Sequence, residues 1–247
     1  GLTKGAIYAV YVEAIDNAGN VRKSINTTAI AGITGGIEEK EGLLPPTITL
    51  AGEERKNGFF IGDVLVTIKD TASESKTYAS KIRYQVIGAN AIEETTVDAR
   101  QKMFNIKTDG ESIIKAWAVG EIDGEEIVSD PSQETVKKDT VAPTISSLTS
   151  TAVGTNYVTL KATATDSTSG IASYQFYYKV SSASAWSGPQ EVDVSTSQNP
   201  NQCSKQITGL NAKTSYNFKV KVTDKAGKEA ESAVFTKSTI TTTKALT

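Results

Sequence analysis

Two aspartates in the last third of the chain carry its most suggestive chemistry. Asp166 closes the alternating run VTLKATATD at 158–166, and Asp224 opens the turn DKAGK at 224–228. The same two placements occur earlier, with Asp70 closing VLVTIKD and Asp16 opening DNAGN. Carboxylates at loop ends are hard oxygen donors of the kind calcium takes, in sets of about six to eight. Only two are evident in the last third. The competing reading is turn chemistry, in which Asp bonds its own backbone and Gly19 and Gly227 supply positive φ. The expectation is therefore no cofactor and no metal, with calcium at Asp166 and Asp224 as the minor alternative.

Other candidates are weaker. Tyr174, Phe176 and Tyr178 alternate onto one strand face and read as core, while Tyr177 points the other way. Tyr177 and Trp186 together would make an aromatic platform for a sugar. The adjacent pairs Glu38-Glu39, Glu53-Glu54, Glu93-Glu94 and Glu125-Glu126 cannot flank one glycosidic bond, because neighbours on a strand face opposite ways. Cys203 is the only cysteine, and the chain has no His to activate it. A chain without His also lacks the commonest general base and metal ligand, and a single Cys forms no internal disulfide. The charge is −2, from 26 basic and 28 acidic residues. Such a balance gives no electrostatic reason for nucleic acid as a partner. No run of about 18 apolar residues could span a membrane. The sequence reads as non-enzymatic.

The elements that position these residues are strands. Val158, Leu160, Ala162 and Ala164 alternate with Thr and Lys, as do Tyr216, Phe218, Val220 and Val222. Period two with one wet face is the pattern of a sheet packed on another sheet, and helical periodicity is nearly absent. An internal repeat sets the domain count. Aligned without gaps, 1–24 and 209–232 match at Leu2 and Leu210, Tyr8 and Tyr216, Asp16 and Asp224, Gly19 and Gly227. Similar units recur at about 90–100 residues, one immunoglobulin-sized sandwich. Pro46 and Pro143 each precede a new Thr- and Ile-rich run. The organisation predicted is a truncated module at 1–30, a linker at 31–44, a whole module at 45–138, another at 139–240, and a tail at 241–247. The 31–47 stretch is long enough to flex, while the short Pro-bearing 137–144 stretch is stiffer. Opening on Gly1-Leu2-Thr3 with its only Met at Met103, the chain reads as a piece of a longer polypeptide.

The run GLxxxxxYxxxVxAxDxAGN at 1–20, with its looser copy at 209–228, resembles the end of a fibronectin type III module. That resemblance implies that Leu2 with Tyr8, and Leu210 with Tyr216, form corners in which the Tyr hydroxyl holds the chain. DTVAPTISSL followed by TATDSTSGIASYQFYYK is similar to repeats of large bacterial surface and phage tail proteins. The middle unit carries Ser112 where that Tyr would fall, and resembles a more general bacterial immunoglobulin-like domain. No Arg-Gly-Asp tripeptide occurs. The fold class expected is all-β, tandem immunoglobulin-like (fibronectin type III-like) β-sandwiches. The role implied is a spacer or adhesion array, extracellular, on a cell surface or virion tail. Its partners would be neighbouring modules of the same polypeptide, and a surface glycan or protein. Two rivals stand beside it: a carbohydrate- or receptor-binding module using Trp186 and Tyr177, and accessory domains of a secreted glycan hydrolase whose catalytic domain lies elsewhere.

Overall fold

The computed structural model describes residues 7–10, 13–15, 21–23, 27–30, 43–54, 56–70, 81–122 and 124–241. Within 1–30, β1 (Ile7–Val10) pairs with β4 (Thr27–Ile30), and β2 (Glu13–Ile15) pairs with β3 (Val21–Lys23), both antiparallel. Leu2 and Gly19 lie outside the described residues, and Tyr8 is described only as part of β1. Among the described residues the one helical element is a 3-10 turn at Lys56–Gly58.

The middle sandwich runs from β5 to β13. Its strands are β5 (Thr47–Ala51), β6 (Phe59–Phe60), β7 (Val64–Lys69), β8 (Lys81–Gly88), β9 (Ile92–Val97), β10 (Gln101–Ile106), β11 (Gly110–Ile122), β12 (Glu125–Val128) and β13 (Ser132–Lys138). One sheet has the order β10-β7-β5. The other has β6-β13-β11-β8-β9, with β12 on β11 and with β6 parallel to β13. Val64, Val66 and Ile68 face Ile82, Val86, Ile114 and Ala116 across the interior, all with at most 2% of their surface exposed.

The last sandwich contains β14 (Thr144–Val153), β15 (Tyr157–Thr165), β16 (Ile171–Val180), β17 (Ser187–Asp193), β18 (Gln202–Thr208), β19 (Ser215–Asp224), β20 (Glu229–Glu231) and β21 (Phe235–Ser238). Its sheets are β14-β15-β18 and β17-β16-β19-β20, with β21 pairing farther along β19. The alternation read from sequence sets the burial: β15 reads Val158, Leu160, Ala162 and Ala164 inward, and β19 reads Tyr216, Phe218, Val220 and Val222 inward. Tyr174 and Phe176 fill the space between them, and Tyr178 packs at the margin. Chain direction and sheet order are those of a fibronectin type III-like β-sandwich.

The corner implied by the resemblance is formed. Leu210 and Tyr216 are buried, and the Asn211 amide donates to the Tyr216 hydroxyl at 2.9 Å. The middle sandwich closes the same corner with other chemistry. Ser112 is buried, and its Oγ accepts from Asn90 N and Asn90 Nδ2 at 3.2 and 3.1 Å. Asn90 Oδ1 in turn accepts from Lys107 N and Thr108 N. An Asn side chain thus crosses from one loop to the next where the last sandwich uses a phenol. Replacing Tyr216 with Phe keeps the ring packing and removes the acceptor. The last sandwich is expected to lose about 1–2 kcal/mol in urea unfolding of the full chain. An unchanged midpoint would show that the phenol oxygen contributes nothing to the corner.

Candidate metal centre at the module junction

β19 stays buried to its final residue. Val222, Thr223 and Asp224 are all inside, and Asp224 pairs with Ile171 at the start of β16. That pairing places the turn after β19 beside the loop 166–170 that connects β15 to β16. Asp166 organises this loop: its Oδ1 accepts the backbone N–H groups of Thr168, Ser169 and Gly170 at 3.1, 2.8 and 2.8 Å. The two loops are stitched by Lys225 N donating to Gly170 O at 2.9 Å and by Ala226 N donating to Ser169 Oγ at 3.3 Å. Asp224 Oδ1 accepts from Lys228 N at 2.8 Å and closes its own turn, with Gly227 at φ 87°. Turn chemistry, the first expectation for these residues, therefore accounts for one oxygen of each carboxylate.

A third carboxylate enters from the linker. Asp139 follows β13 and is fully buried, its amide donating to Phe60 O and its Oδ1 accepting from Val141 N. One oxygen each from Asp139, Asp166 and Asp224 come within 4.8 Å of one another. Asp139 and Asp224 have no exposed surface, and the Oδ2 of each accepts no hydrogen bond. Among the described residues none of the three forms an ion pair with Lys or Arg. Burial pushes the Asp224 carboxyl up to about 6, and the neighbouring Asp139 and Asp166 charges push the same way, against hydrogen bonds from Lys228 and Gly227. Sequence reasoning paired Asp166 with Asp224 and missed Asp139. The available signal was its place in KKDTVAPT, the segment that must enter the pole where those two loops lie.

The linker around Asp139 is pinned at both sides. Lys138 Nζ, nearly buried, donates to Lys107 O at 2.9 Å and to Asp109 Oδ1 at 2.8 Å. Thr140 donates from N and Oγ1 to Asp109 Oδ2. Burial pushes the Asp109 carboxyl up, but the bonds from Lys138 and Thr140 outweigh it and hold it below the usual range. On the opposite side Asn57, in the left-handed region at φ 56°, donates Nδ2 to Lys225 O at 2.8 Å, and the Lys56 side chain lies beside Gly227. Both sandwiches thus touch at the carboxylate cluster. The earlier counterpart of Asp166 is built differently, since Asp70 meets Arg100 Nε at 3.1 Å.

The remaining candidates separate. Tyr177 and Trp186 do share one patch, but Lys219 Nζ lies over both rings, at 5.4 and 4.9 Å from their centroids, and Lys179 adds a second ammonium over Trp186. Burial pushes the Cys203 thiol up, away from nucleophilic character. Glu53, Glu54, Glu93, Glu94, Glu125 and Glu126 are exposed, and Glu38 and Glu39 lie outside the described residues. A shallow open groove of about 350 Å³ between Ile145–Leu148 and Ala230–Phe235 has Glu231 as its one ionisable lining residue. That carboxylate is held by Lys219 at 2.6 Å. No described helix is long and apolar enough to cross a membrane.

No family model and no curated protein matches the chain. Among solved structures it is similar to the chicken CNTN1 FN1–FN3 domains, at 14% identity over 97% of this chain and 80% of that one, with a TM-score of 0.36. It is also similar to a two-domain fibronectin type III segment from chicken tenascin, at 12% identity over 79% and 99%, with a TM-score of 0.35. The sandwich class rests on the strand order and not on these superpositions.

The raised pKa of Asp224 has a definite sign in stability. A carboxyl with a folded value near 6, against 3.8 when free, binds more protons folded than unfolded between those values. Its contribution is complete below about pH 4 and is lost as pH rises through about 6, on the order of 2–3 kcal/mol. In chelator-treated buffer the stability of wild type relative to Asp224→Asn should fall across that window. Parallel pH profiles for the two proteins would contradict the assignment.

Proposed function

We propose that the chain is a non-catalytic spacer or adhesion segment of a large extracellular protein, on a bacterial surface or in a phage tail. The observation that carries this reading is where the chain spends its buried polar chemistry. The buried Lys138, Asp139 and Asp224, with the half-buried Asp109 and Asp166, gather where the two sandwiches meet, and none of them lines the groove between Ile145–Leu148 and Ala230–Phe235. A joint built this way holds one module at a set distance from the next. The two interiors are filled by side chains from both sheets, which leaves them to bear load and not to hold a reactant.

Neighbouring modules of the same polypeptide are the partners this reading requires. A surface glycan or protein is a second class of partner, reached through Tyr177 and Trp186. The patch favours contact with a hydroxyl-rich surface, because Lys179 lies over Trp186 while the Lys219 ammonium over both rings is already paired with Glu231.

The test is an inter-dye distance measurement on the full chain carrying Leu44→Cys and Ile240→Cys, both at exposed positions. Cys203 is buried and does not compete for label. At about 35–40 Å per module, the two labels should lie about 70–80 Å apart with a narrow distribution. A mean below about 50 Å, or a distribution that stays broad in about 10 mM calcium, contradicts the spacer reading. A strong, specific signal on a glycan array replaces it with the binding-module reading.

A further inference from the structure

We propose that Asp139, Asp166 and Asp224 bind one calcium ion, and that this ion locks the joint between the two sandwiches. The inference goes beyond the spacer reading and does not depend on it.

Three observations carry it. First, the three carboxylates come from separate places: Asp139 from the end of the middle sandwich, Asp166 and Asp224 from two loops of the last one. Each is anchored by Oδ1 to backbone N–H groups of its own segment, so each second oxygen is held in place without being used up. Second, Asp139 Oδ2 and Asp224 Oδ2 are fully buried and accept nothing, although an unmatched buried charge is among the most costly features a fold can hold. Asp109, beside the triad, and Asp70, the counterpart of Asp166 in the middle sandwich, are each met by a cationic side chain. The triad is met by none among the described residues. Third, the donor set is all carboxylate oxygen, which selects a hard cation over zinc or copper.

Size favours calcium over magnesium. Oxygens no more than 4.8 Å apart fit one calcium sphere, about 4.6–5.2 Å across at metal–oxygen distances of about 2.3–2.6 Å. Magnesium demands about 2.0–2.1 Å and near-ideal octahedral geometry, which three separately anchored loops supply poorly. Three carboxylates on one ion fall short of a complete calcium shell, so water completes it. An affinity in the range of about 10⁻⁴–10⁻³ M, that of extracellular modules, is expected.

The test titrates the full chain, freed of metal by chelation, with calcium chloride and separately with magnesium chloride at pH 7.5. Heat of binding, thermal midpoint and the inter-dye distribution are followed together. One equivalent of calcium should bind, raise the midpoint by several degrees and narrow the distance distribution. Asp139→Asn should weaken calcium at least tenfold. Its amide also relieves the repulsion, so the metal-free protein should melt no lower than wild type, which separates loss of a ligand from loss of folding. Asp166→Asn is the second variant and should weaken binding in the same way. Absence of any response up to about 10 mM calcium, ten times above the weakest affinity expected, overturns the proposal. So does calcium binding that Asp139→Asn leaves intact, because the site then lies elsewhere. Magnesium binding as tightly as calcium overturns the assignment of the ion.

Discussion

Two layers of strands that bury one face each impose the constraint from which the rest follows. Each long strand must send alternate side chains inward; in β15 every inward position is apolar, and in β19 every one is until the last, Asp224. Polar chemistry is thereby expelled from the interior to the wet faces and the two poles. The wet faces carry Thr and Lys, which a sheet tolerates and solvent screens. Buried carboxylates are accordingly confined to strand ends and loops: Asp139 and Asp224 where the two described sandwiches meet, and Asp70 after β7, where Arg100 pairs with it.

The pole has its own demand. Loops that leave the ends of β15 and β19 turn sharply, and their N–H groups have no ladder partner. Asp166 satisfies three of them through a single oxygen, and Asp224 satisfies another. A neutral Asn could supply the same acceptor without a charge. Using Asp at both positions, and adding Asp139 from the linker, concentrates negative charge where water is excluded. Turn geometry therefore explains the anchoring oxygens, and it leaves the outer ones unexplained.

Fold class was legible in the chain because burial in a sandwich has a period of two, and a period survives in sequence without any knowledge of partners. The Leu210–Tyr216 corner was legible because its members lie six positions apart and both are distinctive residue types. The Asn90–Ser112 latch was not, since its two ends are 22 residues apart and small polar residues abound in the chain. Asp166 and Asp224 could be brought together from topology alone: one loop leads into β16 and the other leaves β19, its neighbour, at the same pole. Asp139 escaped because a linker has no register. Only the hydrogen bond from its amide to Phe60 O, and the neighbouring anchors at Lys138 and Thr140, fix where its side chain points. The Tyr177–Trp186 patch was legible as aromatic but not as cationic, because Lys219 reaches it by a side-chain path that sequence spacing does not encode.

Asp109, in the loop between β10 and β11, and Asp139, in the linker, form an internal comparison at one end of the middle sandwich. Asp109 uses both oxygens on Lys138 and Thr140, and those bonds hold its pKa down despite burial. Asp139 is more deeply buried, points one oxygen at two further carboxylates, and belongs to a cluster in which Asp224 is driven the opposite way. A linker that needed only stiffness could have obtained it from the Asp109 arrangement, which joins Lys138 to Thr140 within the middle sandwich. Asp139 instead carries charge across the boundary, toward loops of the next sandwich. On the calcium proposal, the joint's rigidity depends on the ion that the three carboxylates hold. That dependence would let the surrounding medium set the stiffness of the joint.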